Sequence, residues 1–211
     1  MRPAGETAFL VNSEPEVRAA FGKRRAVFVD RDGTINLEKE YLHTPDEFEF
    51  IPGAPEAIRI LGEAGFLVIV VTNQSGVARG YYGEEDVLRL HRYMDELLAR
   101  EGAKVDAYFY CPHHPDNGAG KYRIECACRK PLPGMLLQAA AELGVNLSES
   151  WMIGDKMADI EAGSAAGCSS ALVLTGYGAE EQAALPAGAP VFADLLAAAR
   201  AIASESSGFI V

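Results

Sequence analysis

The chain has 211 residues, of which 49% are apolar, and its formal net charge is −11. This composition fits one soluble domain with a sizeable core, and the acidic balance argues against a nonspecific nucleic-acid binder, which needs a basic surface. The first two dozen residues contain no apolar run long enough for a signal peptide or a membrane span. We therefore expect a cytoplasmic protein without nucleic-acid or membrane partners.

Apolar runs alternate with turns and helical stretches along the chain, a pattern that predicts an α/β fold with a doubly wound parallel sheet. Strands are predicted to begin near Arg25, Phe66, Val105, Ser150 and Ser169, with a weaker strand near Val191. Helices are predicted over Pro55 to Ala64, Glu84 to Arg100, Pro133 to Leu143, Met157 to Ala166 and Ala193 to Ala203. Residues 25–203 are expected to form one domain. Residues 1–24 would be an N-terminal extension, either a small packed helix or a loose tail, and residues 204–211 a frayed tail.

Two acidic residues, Asp30 and Asp32, follow the first predicted strand directly. Because side chains alternate along a strand, both carboxylates can point to one side of its carboxyl end, where open α/β sheets bind ligands. Two facing carboxylates repel each other. A divalent cation such as Mg²⁺ on one side, with a phosphoryl group opposite, would relieve this repulsion. Asp30 would then be a nucleophile and Asp32 a general acid and base. The alternative is a solvated Asp-rich turn.

Three later segments supply further groups that phosphoryl transfer needs. Residues 72–76, after the second strand, offer hydroxyl and amide groups that can bind phosphate oxygens. Arg129 and Lys130 are cations, and the lysine could neutralise a transferring phosphoryl group. Asp155 and Asp159 lie at a predicted helix start, where carboxylates can bind a cation. Each segment alone also has an ordinary interpretation, as a turn, a solvated surface pair or a helix start.

In this order, the four segments resemble the motifs of the haloacid dehalogenase superfamily of aspartate-nucleophile phosphatases, over about residues 25–175. The resemblance implies a Rossmann-like sheet without a large cap domain, an aspartyl-phosphate intermediate and Mg²⁺ as the catalytic cofactor. It implies that Thr72 and Lys130 hold the phosphoryl group while Asp30 attacks and Asp32 transfers the proton. The implied Mg²⁺ ligands are Asp30, the Asp32 carbonyl group and Asp155. Asp159 would lie behind these ligands or reach the ion through a water molecule.

A cysteine-rich loop between the second and third motifs predicts a structural Zn²⁺ site. Three thiolates and an imidazole make a suitable tetrahedral ligand set for a long loop with little else to order it. The predicted ligands are Cys111, His113, Cys126 and Cys128. His114 could replace His113, and the alternatives to zinc are disulfides or free thiols. Cys168, far along the chain, is expected to be a small buried residue.

Such a loop occurs in two branches of the superfamily, and the sequence is similar to both. One branch removes the 7-phosphate of D-glycero-D-manno-heptose 1,7-bisphosphate, and the other hydrolyses histidinol phosphate. Residues 72–80, 111–115, 128–131 and 154–156 look most like the heptose branch. The resemblance implies a substrate site formed by the following residues: Glu38, Lys39, Glu40, Tyr41, Thr72, Asn73, Gln74, Ser75, Arg129, Lys130 and Lys156.

The charges of this site leave more than one function open. A sugar bisphosphate needs cations beyond the catalytic lysine, and Arg129, Lys156 and Arg79 are candidates for the retained phosphate. Glu38 and Glu40 lie in a polar flap, residues 36–50, and could instead face the ammonium group of histidinol phosphate. A phosphomutase and a non-catalytic phosphate-binding protein are the remaining alternatives. We expect a monomeric phosphatase of a small phosphorylated sugar.

Overall fold

A computed structural model describes residues 8–11 and 24–207 of the chain. Seven strands form one sheet: β1 (Ala8–Val11), β2 (Ala26–Val29), β3 (Leu67–Asn73), β4 (Ala107–Cys111), β5 (Trp151–Gly154), β6 (Ser169–Val173) and β7 (Val191–Phe192). Their order across the sheet is β1-β4-β3-β2-β5-β6-β7, and all neighbouring pairs are parallel except β1 with β4. All six predicted strands are therefore confirmed.

Within the described residues, seven α-helices connect or follow these strands. They are α1 (Ala54–Glu63), α2 (Ser75–Arg79), α3 (Glu84–Arg100), α4 (Gly134–Leu143), α5 (Met157–Ala166), α6 (Gly178–Glu181) and α7 (Leu195–Ser207). Short 3-10 turns occupy Pro45–Glu47, Gly120–Tyr122, Leu147–Glu149 and Gln182–Ala184. The five predicted helices are present, and the last of them ends at Ser207 rather than at Ala203.

The N-terminal segment differs from its prediction where it is described. Ala8–Val11 is neither a helix nor a tail but strand β1, which pairs antiparallel with β4 from Ala8 opposite Tyr110 to Val11 opposite Ala107. The rest of the predicted extension, apart from Arg24, and residues 208–211 lie outside the described residues. The predicted domain boundaries stay predictions.

The central strand β2 is buried on both faces, as expected for a strand in a doubly wound sheet. Val27 and Val29 pack with residues of α1 and α7 on one face of the sheet, whereas Phe28 packs with residues of α4 and α5 on the other. Each fully buried aliphatic or aromatic side chain of this kind contributes about 1.5–3 kcal/mol. Packing on both faces fixes the carboxyl end of β2 and therefore the position of Asp30.

The chain reverses its winding direction at β2, which lies between β3 and β5. Open α/β sheets bind ligands at this switch point, beside the carboxyl ends of the strands. The long connections over residues 30–53 and 112–133 extend from this edge, and within residues 24–207 neither builds a cap domain. In the described part of the chain, every helix is too short or too polar to span a bilayer.

Candidate active site

A cavity of about 440 Å³ opens at the carboxyl edge of the sheet. Ten of the eleven predicted substrate-site residues line it, together with both acids of the first motif and Asp159. Tyr82, Ala158 and Tyr177 also line the cavity and were not predicted. Tyr177 follows β6, so the same rule of strand ends that identified the motifs could have found it.

Three buried carboxylates meet beside the cavity, and two of them, Asp30 and Asp159, line it. Asp30, Asp155 and Asp159 are buried, and one carboxylate oxygen from each lies within 4.8 Å of the others. Asp30 follows β2, whereas Asp155 and Asp159 come from the turn after β5 and the first turn of α5. Placing three acids so close together in a buried site requires compensating positive charge.

Lys130 supplies part of that charge. Its ammonium group lies 2.9 Å from Asp30 Oδ1 and 2.5 Å from Asp159 Oδ1, and it donates a 2.7 Å hydrogen bond to the Val71 carbonyl. Burial opposes the charge, but the two carboxylates raise the pKa of Lys130 above its usual value. The lysine is therefore a fixed cation beside Asp30.

Asp155 lacks such a partner. Its Oδ2 accepts a 2.9 Å hydrogen bond from the Tyr177 backbone amide, but its buried Oδ1 has no hydrogen-bond partner among the described residues. Burial, together with the Asp30 charge, raises the pKa of Asp155 to about 7, and burial raises that of Asp159 to about 6 although Lys130 opposes the shift. A Cβ on Gly33, which has a φ of +85°, would lie 2.3 Å from Asp155 Oδ2, so the loop fits closely around this carboxylate.

This cluster fits a divalent cation such as Mg²⁺. Hard cations take oxygen ligands, and Asp30, Asp155 and Asp159 each offer one carboxylate oxygen to this group. Asp155 also has an Oδ1 without a hydrogen-bond partner among the described residues. Asp159 belongs to the same cluster, but Lys130 pairs with one of its oxygens and the Lys156 amide donates to the other. Asp30 and Asp155 are the stronger candidates for direct ligands.

The carboxylate of Asp32 is not part of this cluster and is held by a separate set of donors. Arg31 binds it with two nitrogens at 2.9 to 3.1 Å, Asn36 donates to Oδ1 at 2.9 Å, and Gln74 donates to Oδ2 at 3.0 Å. Asp32 still borders the cavity. The two acids of the motif therefore have different surroundings, as a nucleophile and a proton-transfer group require.

The residues at the end of β3 and directly after it mainly support the other groups. Gln74 donates to Thr72 Oγ1 as well as to Asp32, and its own Oε1 accepts from the Tyr82 hydroxyl group. The Asn73 amide exchanges two hydrogen bonds with the backbone of Lys130, at 3.0 and 3.1 Å. Thr72 and Ser75 also line the cavity.

The flap closes one side of the cavity, and only part of it matches the prediction. Glu38 pairs with Lys156 at 3.3 Å across the cavity, and Lys156 also lies 4.4 Å from the centre of the Tyr177 ring. Glu40 and Tyr41 border the cavity in a left-handed backbone conformation, with φ of 42° and 59°. Lys39 does not reach the cavity, because its ammonium group binds the Glu47 carbonyl and Glu49 at the far end of the flap.

The structure also brings the predicted zinc ligands together. The ligand atoms of Cys111, His113, Cys126 and Cys128 all lie within 4.8 Å of one another. Cys126 Sγ lies 3.6 Å from Cys111 Sγ and 3.4 Å from Cys128 Sγ, which is too far for a disulfide bond. In a tetrahedral site with Zn–S bonds of about 2.3 Å, two sulfur atoms are about 3.8 Å apart, close to these distances. The donor set and its spacing fit Zn²⁺.

His113, rather than His114, faces the cysteines. Its Nδ1 lies 3.5 Å from Cys128 Sγ, whereas His114 Nδ1 accepts backbone hydrogen bonds from its own turn. Arg129 donates to the His113 carbonyl at 3.3 Å and also lines the cavity. The cysteine cluster therefore positions a cation of the candidate site.

Comparisons with known proteins agree with this geometry. A HAD-hydrolase-like family model matches residues 127–198, a range that includes Lys130, Asp155 and Asp159. A D-glycero-beta-D-manno-heptose-1,7-bisphosphate 7-phosphatase of Yersinia pestis is 49% identical over 152 residues, which are 72% of this chain and 81% of the relative. A D-glycero-alpha-D-manno-heptose-1,7-bisphosphate 7-phosphatase of Burkholderia mallei is 44% identical over 152 residues, 72% of this chain and 80% of the relative. The crystal structure of the D,D-heptose 1,7-bisphosphate phosphatase from B. bronchiseptica, complexed with magnesium and phosphate, is 40% identical with a TM-score of 0.78, covering 86% of this chain and 99% of that one.

The raised pKa of Asp155 predicts a pH-dependent stability in the absence of Mg²⁺. Its carboxyl group ionises near pH 4 in the unfolded chain but only near pH 7 in the folded protein, so the folded state binds more protons between these values and loses stability as the pH rises. Between pH 5 and pH 8, we expect the free energy of unfolding to fall by about 2–4 kcal/mol more in wild type than in Asp155→Asn. Urea unfolding at pH 5, 6, 7 and 8 measures the difference, and parallel curves for the two proteins would contradict it.

Proposed function

Because the chain belongs to the haloacid dehalogenase-like phosphatase family, we propose that it removes the 7-phosphate of D-glycero-D-manno-heptose 1,7-bisphosphate with the help of Mg²⁺. One observation carries this proposal: a single cavity contains Asp30 beside Lys130 and two further cations, Arg129 and Lys156. The names of the similar proteins support the substrate.

The first chemical step uses Asp30 as the nucleophile. Its carboxylate attacks phosphorus, the bond to the sugar oxygen breaks, and an aspartyl phosphate forms. The ammonium group of Lys130 and the hydroxyl group of Thr72 bind the phosphoryl oxygens, so that charge developing during the transfer is neutralised in a buried site.

Asp32 moves the proton in both halves of the reaction. In the first half it protonates the departing sugar oxygen, and in the second it accepts a proton from the water that hydrolyses the aspartyl phosphate. Phosphate leaves and both carboxyl groups return to their starting states. The donors around Asp32 hold its carboxylate at the cavity wall for both transfers.

Asp30, Asp155 and the Asp32 carbonyl group would hold Mg²⁺, with Asp159 next to it. When bound, the ion screens the carboxylates and polarises the phosphoryl oxygens. The unpaired Asp155 Oδ1 supports this assignment.

Arg129 and Lys156 would bind the phosphate that remains on the sugar. Both border the cavity, and nearby carboxylates, including Asp30 and Glu38, raise the pKa of Lys156 against the opposing effect of burial.

Because Glu38 already pairs with Lys156, it is less suited to an ammonium substrate such as histidinol phosphate. Glu40, which has no cationic partner among the ion pairs of the described residues, keeps that second substrate as the alternative. The groups of the site can all come from one chain, so the proposed chemistry does not require a second copy.

A direct assay compares phosphate release from heptose 1,7-bisphosphate and from histidinol phosphate in the presence of Mg²⁺. We expect a strong preference for the bisphosphate, and no turnover by Asp30→Asn because the nucleophile is lost. Preference for histidinol phosphate would replace the substrate assignment. Substantial hydrolysis by Asp30→Asn would contradict the chemistry.

The retained phosphate provides a second test. Losing a charged hydrogen bond costs about 1.5–3 kcal/mol, so Arg129→Gln or Lys156→Gln should raise KM for the bisphosphate by about tenfold or more. The same variants should change KM far less for heptose 7-phosphate, which lacks the second phosphate. Lys39→Gln is the matched control, since this flap lysine lies outside the cavity. Equal effects on both substrates would contradict the assignment.

The zinc site is proposed to be structural. Cys126→Ser should reduce the bound zinc from about one ion per chain towards none, loosen the loop and lower activity through Arg129. Cys168→Ser, which changes another partly buried cysteine remote from the cluster in sequence, is the control and should keep the metal. Elemental analysis and phosphatase rates measure both effects, and full activity of zinc-free protein would contradict the structural role.

A further inference from the structure

Behind Asp32 lies a buried pair of basic side chains that the mechanism above does not use. Arg31 is 1% exposed and His91, from the middle of α3, is fully buried. Arg31 Nη1 and His91 Nε2 are 3.3 Å apart. An arginine and a histidine buried together need a specific arrangement of protons and partners.

Hydrogen-bond chemistry fixes that arrangement. Arginine has only donors, so His91 Nε2 must accept and the imidazole ring is neutral, with its proton on Nδ1. Burial, with the Arg31 charge beside it, also holds the pKa of His91 well below its usual value. Among the described residues, the Nδ1 group has no hydrogen-bond partner. The only hydrogen bond that the His91 side chain makes to the described residues is therefore the one that it accepts from Arg31.

The ring is also held in place by its neighbours. It stacks on Tyr108 with 4.4 Å between ring centres and 17° between planes, and the Tyr108 hydroxyl group donates to Asp95. Strand β4 and helix α3 thus fix the direction in which Nε2 points. This orients an acceptor towards the guanidinium group.

The other side of the guanidinium group binds the proposed acid. Nε and Nη2 of Arg31 contact the Asp32 carboxylate, and Nη2 also donates to the Leu42 carbonyl at 3.1 Å. If position 91 offered no acceptor, Nη1 would lose its partner inside the core, and the guanidinium group would gain by turning towards water or another acceptor. Such a turn would break the hydrogen bonds from Arg31 Nε and Nη2 that set the orientation of the Asp32 carboxylate.

We propose that His91 is a positioning residue for leaving-group protonation. By accepting a hydrogen bond from Arg31, it fixes the guanidinium group that holds the Asp32 carboxyl group within reach of the departing oxygen. This inference rests on the role of Asp32 in the proposed function. It identifies a residue of α3, 60 positions from its partner in sequence, as part of the proton-transfer apparatus.

Two small esters of similar size separate this role from a purely structural one. 2-Phenylethyl phosphate has a poor alcohol leaving group that needs a proton, whereas the leaving group of p-nitrophenyl phosphate departs as a stable anion. The kcat/KM value reports the steps up to release of the leaving group, so later hydrolysis of the aspartyl phosphate does not enter.

His91→Phe keeps a ring that can stack on Tyr108 and removes the acceptor. We expect it to lower kcat/KM for the alkyl ester by about tenfold or more while changing the aryl ester less than about twofold, because general acid catalysis contributes about 10²–10⁴-fold. His91→Gln, which can offer an amide oxygen to Arg31, should restore the alkyl rate. His91→Leu provides a second variant without an acceptor if His91→Phe does not fold.

Leu98→Ala, in the core on the same helix, is the control for lost stability and should leave the ratio of the two rates unchanged. Equal losses for both esters in His91→Phe, no loss for either, or failure of His91→Gln to restore the alkyl rate would overturn the role of His91 while leaving the phosphatase assignment intact. A wild-type protein that hydrolyses neither ester nor the sugar bisphosphate would overturn both.

Discussion

The candidate site depends on one buried ammonium group placed among three carboxylates. Lys130 pairs with Asp30 and Asp159, and its backbone is tied to Asn73 at the end of β3. One residue thereby joins the segments that follow three neighbouring strands. The cluster still lacks enough positive charge, as the raised pKa of Asp155 indicates, and this deficit favours a divalent cation.

The two candidate metal sites differ in the chemistry of their donor atoms, and this difference suits them to different roles. Carboxylate oxygens form the cluster at the sheet edge, where a hard cation can contact a phosphoryl group. Sulfur and imidazole donors form the cluster in the loop after β4, which is closed and suited to structural zinc. Arg129 connects them, because it bonds to the His113 carbonyl and borders the cavity. A loop metal can therefore influence substrate binding without touching the substrate.

Local patterns predicted most of the sheet and the acidic cluster, since strand ends and capping positions are set by nearby sequence. Long-range contacts were harder to predict. The strand Ala8–Val11 exists through pairing with β4, which no local pattern encodes. Lys39 was expected at the cavity but lies outside it, whereas Tyr177 lines the cavity and was not predicted. The course of the flap and of the loop after β6 decides which side chain faces the cavity. His91 belongs to none of the sequence motifs, and only the fold shows its contact with Arg31.

The most direct test of the mechanism is to trap the covalent intermediate. Wild-type protein would be mixed with the sugar bisphosphate and Mg²⁺, quenched in acid and reduced with borohydride, which converts an acyl phosphate of aspartate to homoserine. Mass spectrometry of the peptide that contains residues 26–34 should then find homoserine at position 30 and unchanged aspartate at position 32. Modification at Asp32, or rapid turnover with no modification at Asp30, would contradict nucleophilic attack by Asp30.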